Sequence, residues 1–163
     1  MAALYQFRSM TAADLSMVRG WLAAPHVVEW WGDPDEQFEL VSEDLTSVAM
    51  DQFIVAANDD RPFAYLQCYD PSAWPEGGLG MHPPGTRGID QFIGDPNMIG
   101  HGHGSVFIRD FTDGLLSAGT PRVLTDPDPA NGRAIRAYEK AGFRSHRIVD
   151  TPDGPSLLMV RDS

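Results

Sequence analysis

The chain has 163 residues, 42% of them hydrophobic, and carries 12 Lys plus Arg against 23 Asp plus Glu, a net charge of −11 with neutral histidines. That is room for one domain with a sizeable core, and the acidity speaks against a nucleic-acid or anionic-membrane surface while favouring a cationic small-molecule partner. No apolar run approaches the roughly 18 to 20 residues that span a bilayer, and the N-terminus lacks the basic flank and apolar stretch of a signal peptide, so a cytoplasmic protein, monomer or homodimer, is expected. Cys68 is the single cysteine; it reads as a buried small hydrophobe in a reducing compartment.

In chain order, "LYQFRSM" alternates as a first strand, and "TAADLSMVRGWLAA" follows as a helix with Thr11 as N-cap and Leu15, Val18 and Leu22 on one face. Pro25 is expected to end it. The aromatic segment "HVVEWWG" leads into a second helix, "DPDEQFELVSEDLTSVAM", with Phe38, Val41, Leu45 and Val48 as its apolar face. The runs "QFIVAAN" and "PFAYLQCY" read as an antiparallel hairpin. The Pro- and Gly-rich stretch from Asp70 to Thr86 reads as a long loop without regular structure, of a kind that shapes pockets.

"RGIDQFIG" reads as a strand, "DPN" as a turn and "GHGSVFIRDFTDGLLSAG" as a helix with Phe107, Phe111 and Leu115 in line. A short strand "RVLTD", a helix "NGRAIRAYEKAGF" closing on Gly142, and two strands joined by the turn "TPDGP" complete an α/β pattern of mixed sheet and flanking helices.

The stretch "IGHGHGS", Ile99–Ser105, offers two chemistries. His101 and His103 could ligate a metal, but residues two apart diverge on a strand or a helix, and neither cysteines nor suitably spaced carboxylates accompany them, so no metal is expected. A glycine-rich loop entering a helix instead presents backbone N–H groups at the positive end of the helix, where an anion such as phosphate binds.

The later stretch "TDPDPANGRAIRAYEKAGF" makes that reading more specific, because the two together resemble the GNAT superfamily of acyl-coenzyme A-dependent N-acyltransferases. The resemblance implies a mixed, mostly antiparallel sheet flanked by helices on both faces, with acetyl-coenzyme A as cosubstrate. It implies that Gly100, His101, Gly102, His103, Gly104 and Ser105 hold the pyrophosphate, although Ile99 stands where that family usually has Arg or Gln. Asn131, Ala134, Tyr138, Gly142 and Phe143 match the second motif. By the same resemblance Asn131 and Ala134 bind the pantetheine arm, Tyr138 protonates the leaving thiolate, and a strand N–H at Phe92 or Ile93 stabilises the oxyanion.

With "HVVEWWG", "RGIDQFIG" and "TPDGP" added, most of the chain looks like the aminoglycoside 6′-N-acetyltransferases, a branch similar also to acyltransferases of siderophore assembly. That likeness implies Asp90 as the carboxylate that holds and deprotonates the amine, with Asp126 and Asp153 as further acidic substrate contacts. Trp30 and Trp31 are candidates to cover sugar rings or the pantetheine channel, with at least one expected in the core. Trp74, Asp70 and Glu76 are further candidates in the long loop. Acylation of a siderophore hydroxylamine and a non-catalytic coenzyme A-binding sensor are the competing readings.

Overall fold

The computed structural model describes residues 4–163. In chain order these form β1 (Tyr5–Ser9), α1 (Leu15–Leu22), α2 (Pro25–Trp31), α3 (Pro34–Asp44), β2 (Met50–Ala57), β3 (Pro62–Tyr69), β4 (Arg87–Ile93), α4 (His103–Ser117), β5 (Arg122–Thr125), α5 (Gly132–Lys140), β6 (Arg144–Thr151) and β7 (Gly154–Asp162). The strands follow the order β1-β2-β3-β4-β5-β7-β6. β4 runs parallel to β5, whereas β1 with β2, β5 with β7 and β6 with β7 are antiparallel. This is the mixed, mostly antiparallel sheet that the sequence implies. Among the described residues no helix is long and apolar enough to cross a membrane.

Packing divides the chain into two compact units, one made of the chain up to Cys68 with Gln91–His101, the other of Tyr69–Asp90 with Gly102–Ser163. In the first, Val18 and Leu22 of α1, Val27 of α2 and Val41 of α3 are buried together with Ile54, Tyr65 and Phe92 from the strands. Entry into α1 is set by polar contacts. Asp14 accepts the Thr11 N–H at 2.9 Å and both Arg8 guanidinium nitrogens at 2.7 and 2.8 Å, which caps the turn before the helix. Asp33 does the same for α3, accepting the N–H groups of Asp35 and Glu36 at 2.9 and 3.0 Å. The one cysteine, Cys68, is buried at the end of this unit.

In the second unit Leu124, Val149, Leu158 and Val160 form a core cluster against which Leu79 of the long loop packs. α4 packs on α5, and Arg109 Nη2 donates to the Lys140 carbonyl at 2.6 Å. Arg161 of β7 donates to Thr112 at 2.6 Å and pairs with Asp113. The first of these holds the C-terminal end of α5, and the others tie β7 to α4.

The structure departs from the sequence expectation in three places. Pro25 starts a helix rather than only closing one: α1 is finished at Leu22, and proline at the first position of α2 loses no intrahelical hydrogen bond. α3 ends at Asp44, so Val48 lies outside the helix and is fully exposed. The Thr46 hydroxyl donates to the Glu43 carbonyl, and the Ser47 hydroxyl accepts the Ala49 N–H, local bonds that compete with another helical turn. The long loop contains two 3-10 turns, Pro71–Ala73 and Pro75–Gly77; Asp70 caps the first through the Ser72 N–H at 3.0 Å.

Leu22 is 1% exposed in the first core. Leu22→Ala is expected to destabilise the chain by about 2–5 kcal/mol, read as a lower urea midpoint with an unchanged slope.

Candidate active site

The glycine loop is built by the backbone. After β4 a 3-10 turn, Pro96–Met98, is capped by the Asp95 carboxylate, which accepts the Asn97 N–H at 2.9 Å. Ile99 is then extended, and Gly100 and Gly102 take φ of 78° and 80° before α4 starts at His103. A Cβ at either glycine would meet nothing within 4 Å. Glycine is therefore required for the left-handed backbone and not for packing, and the loop stays open to an approaching ligand. The N–H groups of His103, Gly104 and Ser105 open the 15-residue α4 at the positive end of its dipole. Ser105 Oγ turns back to donate to the Gly102 carbonyl at 3.1 Å. This geometry suits a pyrophosphate. Among the described residues no group of three or more His, Cys, Asp or Glu lies close enough to hold a metal.

The acidic residues meet through the sheet. The parallel register pairs Arg87 with Val123 and Gly88 with Leu124. Asp90 lies two residues beyond Gly88 in β4, and Asp126 follows directly on Thr125, the last residue of β5. The Thr125 hydroxyl donates to the Ile89 carbonyl at 3.0 Å and ties the two strands just before the pair. Asp126 is half-buried, and its carboxyl is pushed up to about 7, chiefly by burial, then by repulsion from Asp90 and Asp153, against a hydrogen bond with Ser156. Asp153 stands on the exposed hairpin turn between β6 and β7, where Thr151 pairs with Gly154. Two sequence-predicted carboxylates, Asp90 and Asp153, thus act on a third, Asp126, an arrangement that a cation relieves. Ser156 was not foreseen, because its partner lies thirty residues away in sequence without any motif linking them.

The aromatic candidates are placed differently in each unit. Tyr69 is buried with its ring where a side chain on Gly88 would stand, and Trp74 meets it edge-on at 5.8 Å. Gly88 and Asp90 share one face of β4, so the Tyr69–Trp74 pair lies on the Asp90 side of that strand. Trp31 is the core member of its pair, edge-on to Phe92 at 5.0 Å and to Tyr65 at 6.2 Å, whereas Trp30 is 39% exposed.

On α5 the motif spacing has a local cause. Asn131 Oδ1 accepts the Ala134 N–H at 3.2 Å, so the residue caps the helix and keeps its amide NH₂ for donation. Tyr138 is buried, its ring edge-on to Phe143 at 5.5 Å. Phe92 and Ile93 close β4, the first buried and the second half-buried.

The fold, the glycine loop and the capped α5 together define an acyltransferase of the GNAT type. The chain belongs to the acetyltransferase (GNAT) domain family, which it matches over residues 10–151. It is 36% identical over 163 residues to an aminoglycoside N(6′)-acetyltransferase type 1 of Klebsiella pneumoniae, covering 94% of this chain and 81% of that protein. Its structure superposes on that of AAC(6′)-Ib in complex with paromomycin and acetyl-coenzyme A with a TM-score of 0.88 at 35% identity, over 98% of this chain and 94% of that one. An N(6)-hydroxylysine O-acetyltransferase of Escherichia coli is 26% identical over 159 residues, 92% of this chain and 49% of that protein.

With its carboxyl lifted from 3.8 to about 7, Asp126 keeps in the folded chain a proton that the unfolded chain has already released. Stability is therefore lost as pH rises from about 4 to about 7, and does not return above that window. Asp126→Asn removes this penalty. Its melting temperature is expected to exceed the wild type's at pH 8, with the gap closing near pH 4; equal melting temperatures at pH 8 would reject the crowding of charge at this residue.

Proposed function

We propose that the protein is an acetyl-coenzyme A-dependent N-acetyltransferase acting on a primary amine, the 6′-amine of an aminoglycoside, by direct transfer. The observation that carries this reading is the crowding of Asp90 and Asp153 on the half-buried Asp126, which an aminoglycoside polycation would neutralise. The resemblance to aminoglycoside acetyltransferases along 94% of the chain supports it. The family match spans residues of both compact units, which supports a single acetyltransferase domain. We read the protein as cytoplasmic.

The donor supplies the acetyl group as a thioester, so no covalent enzyme intermediate is required. Gly100 to Ser105 hold its pyrophosphate through backbone N–H groups, and Asn131 holds the pantetheine arm. Asp90 binds the incoming ammonium and accepts its proton, freeing the lone pair for attack. The N–H of Phe92 or Ile93 stabilises the developing oxyanion, and the Tyr138 hydroxyl donates a proton to the departing thiolate. Asp126 and Asp153 hold other amines of the substrate, and Trp30 and Trp74 offer faces for its rings. A hydroxylamine of the siderophore type arrives largely uncharged and gains little from three carboxylates, which favours the aminoglycoside reading.

Mass spectrometry of products formed from acetyl-coenzyme A, several aminoglycosides and a siderophore-type hydroxylamine tests the substrate class. Acetylation of the hydroxylamine alone would favour the siderophore reading, and tight coenzyme binding without any product the sensor reading. Asp90→Asn is expected to lower kcat/KM for the preferred amine by about 10²–10⁴-fold, and retention of full activity would remove Asp90 from the base role. Ile99→Arg restores a charged contact at the head of the loop and is expected to lower the KM for acetyl-coenzyme A about tenfold.

A further inference from the structure

In "HVVEWWG", Trp31 packs in the core and Trp30 is exposed, while His26 has a separate contact. It is the second residue of α2, and its Nε2 lies 2.8 Å from the Ile93 carbonyl oxygen. A carbonyl only accepts, so this nitrogen carries the proton and donates. In extended backbone the N–H and C=O of one residue point to the same strand edge, and successive residues alternate. Gly94 N–H turns to the Phe63 carbonyl of β3 at 2.8 Å, so Ile93 presents both of its backbone groups to the other edge of β4. There His26 takes the carbonyl and stands where a neighbouring strand would otherwise supply a donor.

The rest of this strand end is held as firmly. The Phe92 ring stacks on Tyr65 at 5.4 Å and meets Trp21 edge-on at 6.3 Å. Trp21 also occupies the space that a side chain on Gly94 would fill. Three successive residues, Phe92 to Gly94, are fixed by groups from α1, α2 and β3.

We propose that His26 is a positioning residue for acetyl transfer: by holding the Ile93 carbonyl it fixes the direction of the Ile93 N–H, which shares that strand edge. The proposal rests on the acetyltransferase reading and assigns to His26 the alignment of its oxyanion donor. A donor lowers the barrier only if it is already aimed at the oxygen where charge develops, and a hydrogen bond weakens steeply once misaligned. Loss of His26 therefore acts on the transition state and leaves ground-state binding in place.

The experiment uses the full chain as wild type, His26→Ala and His26→Gln, the glutamine amide being a donor of similar reach. With acetyl-coenzyme A and the preferred amine, the alanine variant is expected to lose about tenfold in kcat with both KM values within about twofold, and glutamine to recover most of the loss. An unchanged kcat in His26→Ala would overturn the proposal, as would a loss confined to KM or one that tracks the unfolded fraction in a melting curve. Should alanine fail to fold, His26→Gln decides alone: near-wild-type kcat supports the proposal and a tenfold loss in a folded glutamine variant rejects it. Amide exchange at Gly94 separates this idea from the functional reading, because it needs no turnover. Exchange at least tenfold faster in His26→Ala supports the clamp, even if no amine is acetylated by the wild type, and unchanged exchange overturns it.

Discussion

The parallel pairing of β4 with β5 is the constraint on which the site depends. It lays the end of β5, with Asp126 just beyond it, along the strand that carries Asp90, and the Thr125 hydroxyl on the Ile89 carbonyl ties the two strands. Two carboxylates so placed repel, and burial of one raises the cost of its ionisation. The chain accepts that repulsion within its own fold, and a bound ammonium relieves it. The cost of that ionisation is a loss of stability built into the fold as pH rises.

β4 carries this tension because its two ends do different work. Its first residues lie in the sheet against β5. Its last residues are held by Tyr65, Trp21, Trp31 and His26, all from the chain that precedes it. The sheet pairing of its first residues and the packing of its last are then supplied by separate neighbours of one strand, so a substitution affecting one need not disturb the other.

Most elements were legible from periodicity and punctuation: Asp33–Pro34 opens α3, and the glycines before α4 take the left-handed backbone their composition suggests. α2 was not, because Pro25 signals a helix end and a helix start equally well and the seven-residue helix it opens is too short to show a period. Val48 was misplaced because its apolar spacing continued past a Thr–Ser turn whose hydroxyl bonds end the helix. At the site, local signals found the glycine loop, and the resemblance named Asn131 without its capping role. Asp90, Asp126 and Asp153 were named by resemblance, whereas the effect of Asp90 on Asp126 and the partners Ser156 and His26 depend on how distant segments fold together, which no local pattern encodes.

Cys68, buried at the end of β3, has a practical consequence. The chain has no other thiol. A folded preparation therefore presents almost no sulfhydryl of its own to a disulfide reagent such as Ellman's, so colour developed during turnover reports coenzyme A. The same reagent added without substrate becomes a gauge of unfolding, because Cys68 reacts only when its strand opens.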